Sequence, residues 1–247
     1  MSIPLVVLGT GIVMMMGEIA RPGRIWPQVA GWWTRAALLN GLQGVMVLIA
    51  GLTWDRWLME HRLWSADTLG VTGGALVGYL AITFVYYWWH RWRHEVSFLW
   101  RWFHQVHHSP QRIEVITSFY KHPFELLANS ILSSAILYLL VGVSPAVAAR
   151  AVLISGLAEL FYHWNVRTPY WLGYVFQRPA SHCVHHQAGL HSYNFADLPV
   201  WDLLFGTLRN PIQWHERCGF GAGREQRLDE MLLGADVNVV PEVRRAA

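Results

Sequence analysis

Long apolar runs separated by short polar breaks dominate the chain, at roughly residues 3–20, 36–54, 68–89, 126–143 and 145–162. About 20 helical residues cross the hydrocarbon layer of a bilayer, so each run is long enough to span, the first and fourth only just. The pattern predicts an all-α, integral membrane bundle of four to five transmembrane helices. The first run lacks the basic start and small-residue cleavage site of a signal peptide, since Glu18 stands near its end and Pro22 just beyond it, and it reads as a membrane segment. Gly142, Ser144 and Pro145 split the last two runs into a helical hairpin with a tight turn.

Composition supports a membrane setting. Of the 247 residues 53% are hydrophobic and only 14% charged, against about 25% charged in soluble domains. Arginine placement orients the spans, because Lys and Arg concentrate in cytoplasmic loops. Arg21, Arg24 and Arg35 follow the first run, and Arg91, Arg93, Arg101, Arg112 and Lys121 fill the stretch between the third and fourth, whereas the loop at 55–67 is charge-balanced and VGVSPAV carries no charge. The expected N-terminus is external and the C-terminus cytoplasmic, in a bacterial inner membrane. Arg150, near the outer end of the fifth run, is the residue that fits least well; it faces protein or snorkels to the interface. The fifteen tryptophans cluster near segment ends as an aromatic belt. The net charge of +3 serves topology and anchoring rather than nucleic-acid binding. Cys183 and Cys218 fall on the reducing side, where no disulfide is expected.

No internal repeat or linker divides the chain. A single domain over 1–247 is expected: N-terminal helices over 1–84, a catalytic region over 85–210, and a loosely ordered C-terminal tail over 228–247.

Histidines carry the candidate chemistry. His90 and His94 lie in HRWRH, His104, His107 and His108 in HQVHH, and His182, His185 and His186 in HCVHH, all on the predicted cytoplasmic side. Residues three and four apart share a helix face, so each cluster presents two or three imidazoles to a common point. Imidazole without thiolate suits iron, zinc, copper or nickel, and eight such ligands imply two metals. Leaving that many imidazole nitrogens buried and unpaired would cost about 1–3 kcal/mol each. A lone histidine such as His61 or His215 is better read as satisfied by a neighbour. On one straight helix His90 and His108 would stand about 27 Å apart, so the chain must turn within 95–103, although no Gly or Pro marks the place.

These spacings resemble the fatty acid hydroxylase and sterol desaturase superfamily of membrane-bound di-iron enzymes, over about residues 85–210. HRWRHE, HQVHHS, HCVHH and NFADLPVWDLLFGT carry the resemblance, the last looking like that family's NYG followed by WDxxFGT, and the alkylglycerol monooxygenase and sterol desaturase branch looks most similar. The resemblance implies a helical membrane bundle capped by a cytoplasmic dimetal centre that activates dioxygen and oxidises a C–H bond of a lipid. It also implies a ninth ligand, His163 in FYHWN, while His122 and His191 are either ligands or supporting residues. NFAD in place of NYG touches only packing around Asn194 to Asp197.

The implied cofactor is two Fe, with zinc able to occupy the site in purified protein. Ligating histidines donate their second N–H to a carboxylate or carbonyl; Glu95, Asn194 and Asp202 are the candidates nearest the chemistry, with Glu125, Asn165 and Asp197 in the same set. Expected partners are a lipid substrate (fatty acyl, sterol-like or ether lipid) and a separate electron donor, a reductase, ferredoxin, cytochrome or pterin, because no dinucleotide fingerprint or haem module is present. No nucleic-acid partner is expected. The alternative is a metal transporter or a haem-carrying electron-transfer subunit. Those place their ligands near the bilayer midplane or deep in facing helices, whereas here they lie at helix ends and in loops.

Overall fold

The computed structural model describes residues 3–221 and 223–238. Its elements are helical, with no strand among the described residues: α1 (Ile3–Ala20), α2 (Trp32–Leu52), α3 (Trp54–Glu60), α4 (Gly70–Glu95), α5 (Ser97–Leu99), α6 (Gln105–His108), α7 (Pro123–Ser134), α8 (Pro145–His163), α9 (Pro179–His185), α10 (Pro199–Leu204) and α11 (Leu228–Leu232). Proline occupies the first turn of α7, α8, α9 and α10, where its missing N–H costs nothing and its fixed φ suits a helix start.

Four stretches are long and apolar enough to cross a membrane: Trp32–Glu60, Asp67–Glu95, Pro123–Val141 and Pro145–His163. The first run is helical too, but its apolar part is shorter. It is held by its end: the Glu18 carboxylate accepts from the backbone N–H groups of Val115 and Asn165, tying α1 to the segment before α7 and to the one beyond α8.

Helix α4 runs through the bundle against α8 and the π-helical end of the α7 stretch, Ala135–Val141. Gly78 lets that π-helical end approach closely, since a Cβ there would lie 2.8 Å from Leu137. The expected hairpin turn forms around Gly142, which adopts φ 75 beside the Trp64 ring, a conformation only glycine takes freely.

The chain turns where convergence requires it. Helix α4 stops at Glu95, Val96 is extended (φ −105, ψ 112), and a new helical run begins at Ser97. That run passes through a π-helical segment, Trp100–His104, before α6. Such insertions are common at functional sites.

The loose tail expected from residue 228 is not found over 228–238. Met231 and Val237 pack into a core with Trp32, Trp100 and Phe220, and Gln105 donates to the Ala235 carbonyl at 2.7 Å. Leu228 and Leu232 pack against the same core, so apolar side chains together with a buried amide hold the segment. Residues 239–247 lie outside the described residues.

Candidate metal centre

The nine histidines singled out by spacing and resemblance are drawn into two adjoining groups. His90, His94, His104, His108 and His185 form one, and His107, His163, His182 and His186 the other; within each, one nitrogen per residue lies within 4.8 Å of every other. Each HxxHH motif divides between them. Its first and last histidines join one group, and its middle histidine crosses to the other. His108 and His186, the last histidines of the two motifs, stack face to face with centroids 4.1 Å apart.

Five imidazoles are oriented by acceptors behind them. His90 Nδ1 donates to the Phe195 carbonyl at 2.7 Å and His185 Nδ1 to the Tyr193 carbonyl at 2.7 Å. His163 Nδ1 donates to the Glu159 carbonyl at 2.9 Å, His107 Nδ1 to the Tyr120 carbonyl at 3.3 Å, and His104 Nδ1 to Glu125 Oε1 at 3.1 Å. A neutral ring that donates from Nδ1 carries a bare lone pair on Nε2. The Nε2 atoms of the two groups converge: those of His104 and His108 are 3.1 Å apart, and that of His182 stands 3.0 Å from that of His163 and 3.1 Å from that of His186. The Nε2 atoms of His90, His94 and His185 are buried with no partner among the described residues.

Buried, unpartnered nitrogen lone pairs aimed at one another are unfavourable unless a cation lies among them. The donor set therefore fits metal ions, and all-nitrogen donors fit first-row transition metals. Protonation agrees. Burial holds His104, His107, His108, His182 and His186 well below the ordinary imidazole range, and takes His185 down to about 3. Neutral imidazole is the form that ligates.

The loop before α10 explains how Asn194 and Asp202 act. Tyr193 and Asn194 are left-handed (φ 67 and 49). Asn194 Nδ2 donates to the carbonyls of Ser181 and Arg209, at 2.7 and 2.8 Å, and its Oδ1 accepts from Arg209 N at 2.7 Å. Asp202 accepts from Phe195 N at 2.8 Å, Ala196 N at 3.0 Å and Thr207 Oγ1 at 2.7 Å. Among the described residues neither side chain hydrogen-bonds to an imidazole. They fix the peptides whose carbonyls orient His185 and His90.

Glu95 is not brought to the centre. One residue on from His94 turns the side chain about 100° around the helix, and it pairs with Arg91 at 2.7 Å with half its surface exposed. Asn165 instead binds the Arg24 backbone. Glu125 does reach the site, and its partner Arg93, inside HRWRH, is a residue that spacing alone passes over. Gln177 is another: its amide lies 2.9 Å from His182 Nδ1 and donates to the Asn194 carbonyl at 3.0 Å. His122 caps α7 by accepting from Phe124 N at 3.0 Å. His191 is buried outside both groups, its Nδ1 3.2 Å from that of His108. His61 stacks on Trp57, and His215 contacts Gln213.

The fatty acid hydroxylase family model matches residues 75–207, more than half of the chain and all nine histidines. The chain belongs to the fatty acid hydroxylase family. Similar relatives include alkylglycerol monooxygenase of Homo sapiens, 31% identical over 160 residues covering 62% of this chain and 34% of that protein. Ornithine lipid hydroxylase OlsE of Rhizobium tropici is 35% identical over 159 residues, 62% of this chain and 47% of the relative. Very-long-chain aldehyde decarbonylase GL1-9 of Oryza sativa subsp. indica is 31% identical over 139 residues, 53% of each. The chain thus spans about a third to a half of the length of these fatty acid hydroxylase relatives. No solved structure matches it.

Proposed function

We propose that the chain is a membrane-bound di-iron oxygenase that hydroxylates or desaturates a C–H bond of a lipid, using dioxygen and electrons from a separate donor. The observation that carries this reading is the pair of imidazole groups, five and four, whose Nε2 atoms crowd together, those of His90, His94 and His185 with no partner among the described residues. Names among the relatives, an alkylglycerol monooxygenase and an ornithine lipid hydroxylase, favour a lipid substrate.

His90, His94, His104, His108 and His185 would hold one iron, and His107, His163, His182 and His186 the other. The chemistry a bound iron pair supplies is activation of dioxygen for attack on an unactivated C–H bond. The protein's share is positional. Glu125 and the carbonyls of Tyr120, Glu159, Tyr193 and Phe195 keep protons on Nδ1, so that Nε2 stays free. Trp100, Tyr162 and Phe195 wall the imidazoles with aromatic rings. Asp202 and Asn194 hold the loop that supplies two of the acceptors. A centre at helix ends favours a long apolar substrate whose head group stays at the interface. The arginine-rich loops support a cytoplasmic location for the centre in a bacterial inner membrane.

Lipid analysis of cells with and without the gene, paired with iron content of the purified full-length chain, tests the proposal. Two irons per chain and one oxidised lipid class that disappears with His107→Ala or His185→Ala are expected. Unchanged lipids, or turnover retained by either variant, would overturn it.

A further inference from the structure

The cap around the histidines carries an apolar ledge that the chemistry above does not use. Helix α10 has two faces. Asp202 is fully buried against the loop that orients His90, while Leu203 and Leu204 are 63% and 65% exposed. Beside α10 lies the 3-10 turn Tyr170–Tyr174, where Trp171 is 64% exposed and Tyr174 and Phe176 also face outward. Soluble surfaces rarely expose a contiguous apolar patch of this extent.

Continuity with a membrane span says what covers it. Leu76, Leu80 and Phe84, at i, i+4 and i+8 on α4, form an exposed apolar stripe that leads directly to α10. Phe84 packs edge-on against Trp201 with centroids 5.0 Å apart, and Trp201 Nε1 donates to Thr83 Oγ1 at 3.0 Å. Phe205 stacks on Tyr87 at 4.9 Å. Helix α10 therefore lies alongside the span, not beyond its end.

Depth follows from length. The stretch Asp67–Glu95 has 29 residues, about 43 Å of helix against about 30 Å of hydrocarbon. With its outer end at one boundary, the inner boundary falls about nine residues before Glu95, between Thr83 and His90. Trp201 then sits at the boundary, where indole rings partition. His90 stands about one helical turn above it.

We infer that α10 and the 170–176 segment form a foot seated in the bilayer interface, with Leu203, Leu204 and Trp171 entering the acyl region. The ligand of this surface is the lipid bilayer itself. Seating α10 sets the height of the metal centre, because the same turn holds, through Asp202, the peptide that orients His90. The inference rests on the reading that the four stretches span a membrane.

The test places a bimane label on Leu203→Cys and, separately, on Trp171→Cys in the otherwise intact chain, whose own Cys183 and Cys218 are buried. The protein is reconstituted in phosphatidylcholine and phosphatidylglycerol vesicles, and Leu80→Cys on α4 serves as the span control. Expected at both positions are a blue-shifted emission and a loss of intensity with lipids carrying a nitroxide near the acyl carbonyl, exceeding the loss with aqueous iodide. Emission quenched by iodide and not by lipid nitroxide would overturn the inference, and so would emission shielded from both, which signifies a protein partner or second copy on the ledge. A control position quenched by lipid keeps the membrane reading intact when the ledge fails. A control quenched only by iodide refutes the membrane reading itself.

Discussion

Replacing Glu125 with glutamine separates what the buried carboxylate does for the fold from what it does for the metal. Glu125 is fully buried, and its Oε1 accepts from His104 Nδ1 at 3.1 Å and from Arg93, a guanidinium only 4% exposed. The amide keeps the shape and one acceptor oxygen but deletes the charge, which strands Arg93 as an uncompensated buried cation. Removing one partner of a buried ion pair costs about 3–5 kcal/mol, and weakening the acceptor behind a ligating histidine lowers metal affinity about 10–100-fold. The double variant Arg93→Met/Glu125→Gln removes the stranded cation as well. It should regain most of the lost stability but none of the lost affinity. Thermal unfolding of the metal-free full-length protein in detergent reads the first effect, and cobalt titration against a chromogenic chelator reads the second. Only the binding step belonging to the five-imidazole group should weaken. A Glu125→Gln protein that melts and binds both ions like the parent would refute the reasoning, and a double variant that regains affinity would show that Arg93, not the lost acceptor, governs the site.

Asn194→Ala should lose on the order of 3 kcal/mol in chemical denaturation, because it removes three short hydrogen bonds and forces alanine into the left-handed region at φ 49; a loss under about 1 kcal/mol would mean that the loop holds itself. At His191, the Nδ1 contact with His108 implies that His108 donates there when its Nε2 ligates. His191→Asn, which keeps an acceptor at that position and tolerates φ 42, should retain metal in cobalt titrations, while His191→Leu should lose about tenfold in affinity; equal affinities would exclude this support. Acid should destabilise the metal-free protein. Burial lowers the imidazoles outside the spans, His185 to about 3 and His191 to about 4, so below the ordinary value near 6.5 the unfolded chain takes up protons that the folded one refuses. Melting temperature should fall steadily from about pH 6.5 toward 4, and a flat profile over that range would contradict the buried, neutral state.

Much of this architecture is written in local pattern. Apolar runs long enough to cross a bilayer mark the spans, and histidines three and four apart mark the centre, because helical periodicity turns spacing directly into a shared face. What is invisible in the sequence is what tertiary packing decides. Val96 breaks α4 with neither glycine nor proline; an extended Val is locally ordinary, and the break is held by the packing of both flanking helices around the imidazoles. The acceptors behind His90, His107, His163 and His185 are backbone carbonyls, which every residue possesses and no motif advertises. Glu95 shows the opposite error: adjacency in sequence to His94 places it on a different side of the helix, where Arg91 claims it. The tail is legible only in hindsight, because its hold depends on Met231 and Val237 finding a pocket formed by distant segments.

The way each HxxHH motif divides has a simple helical origin. Residues i and i+4 differ by about 40° around the axis, while i+3 falls about 60° to the other side of i. The triplet is thus a short helical sequence that addresses two neighbouring points at once. His104 and His108 serve the group to which His185 crosses, and His182 and His186 serve the group to which His107 crosses. Two copies placed with their last histidines stacked therefore build two sites with three imidazoles each, and the remaining helices complete them unequally. Helix α4 adds the pair His90 and His94 to one, and α8 adds only His163 to the other. The five-to-four asymmetry follows from the fact that one flanking helix carries an i, i+4 pair and the other a single histidine, so the four-imidazole group is the one with more room for a further ligand.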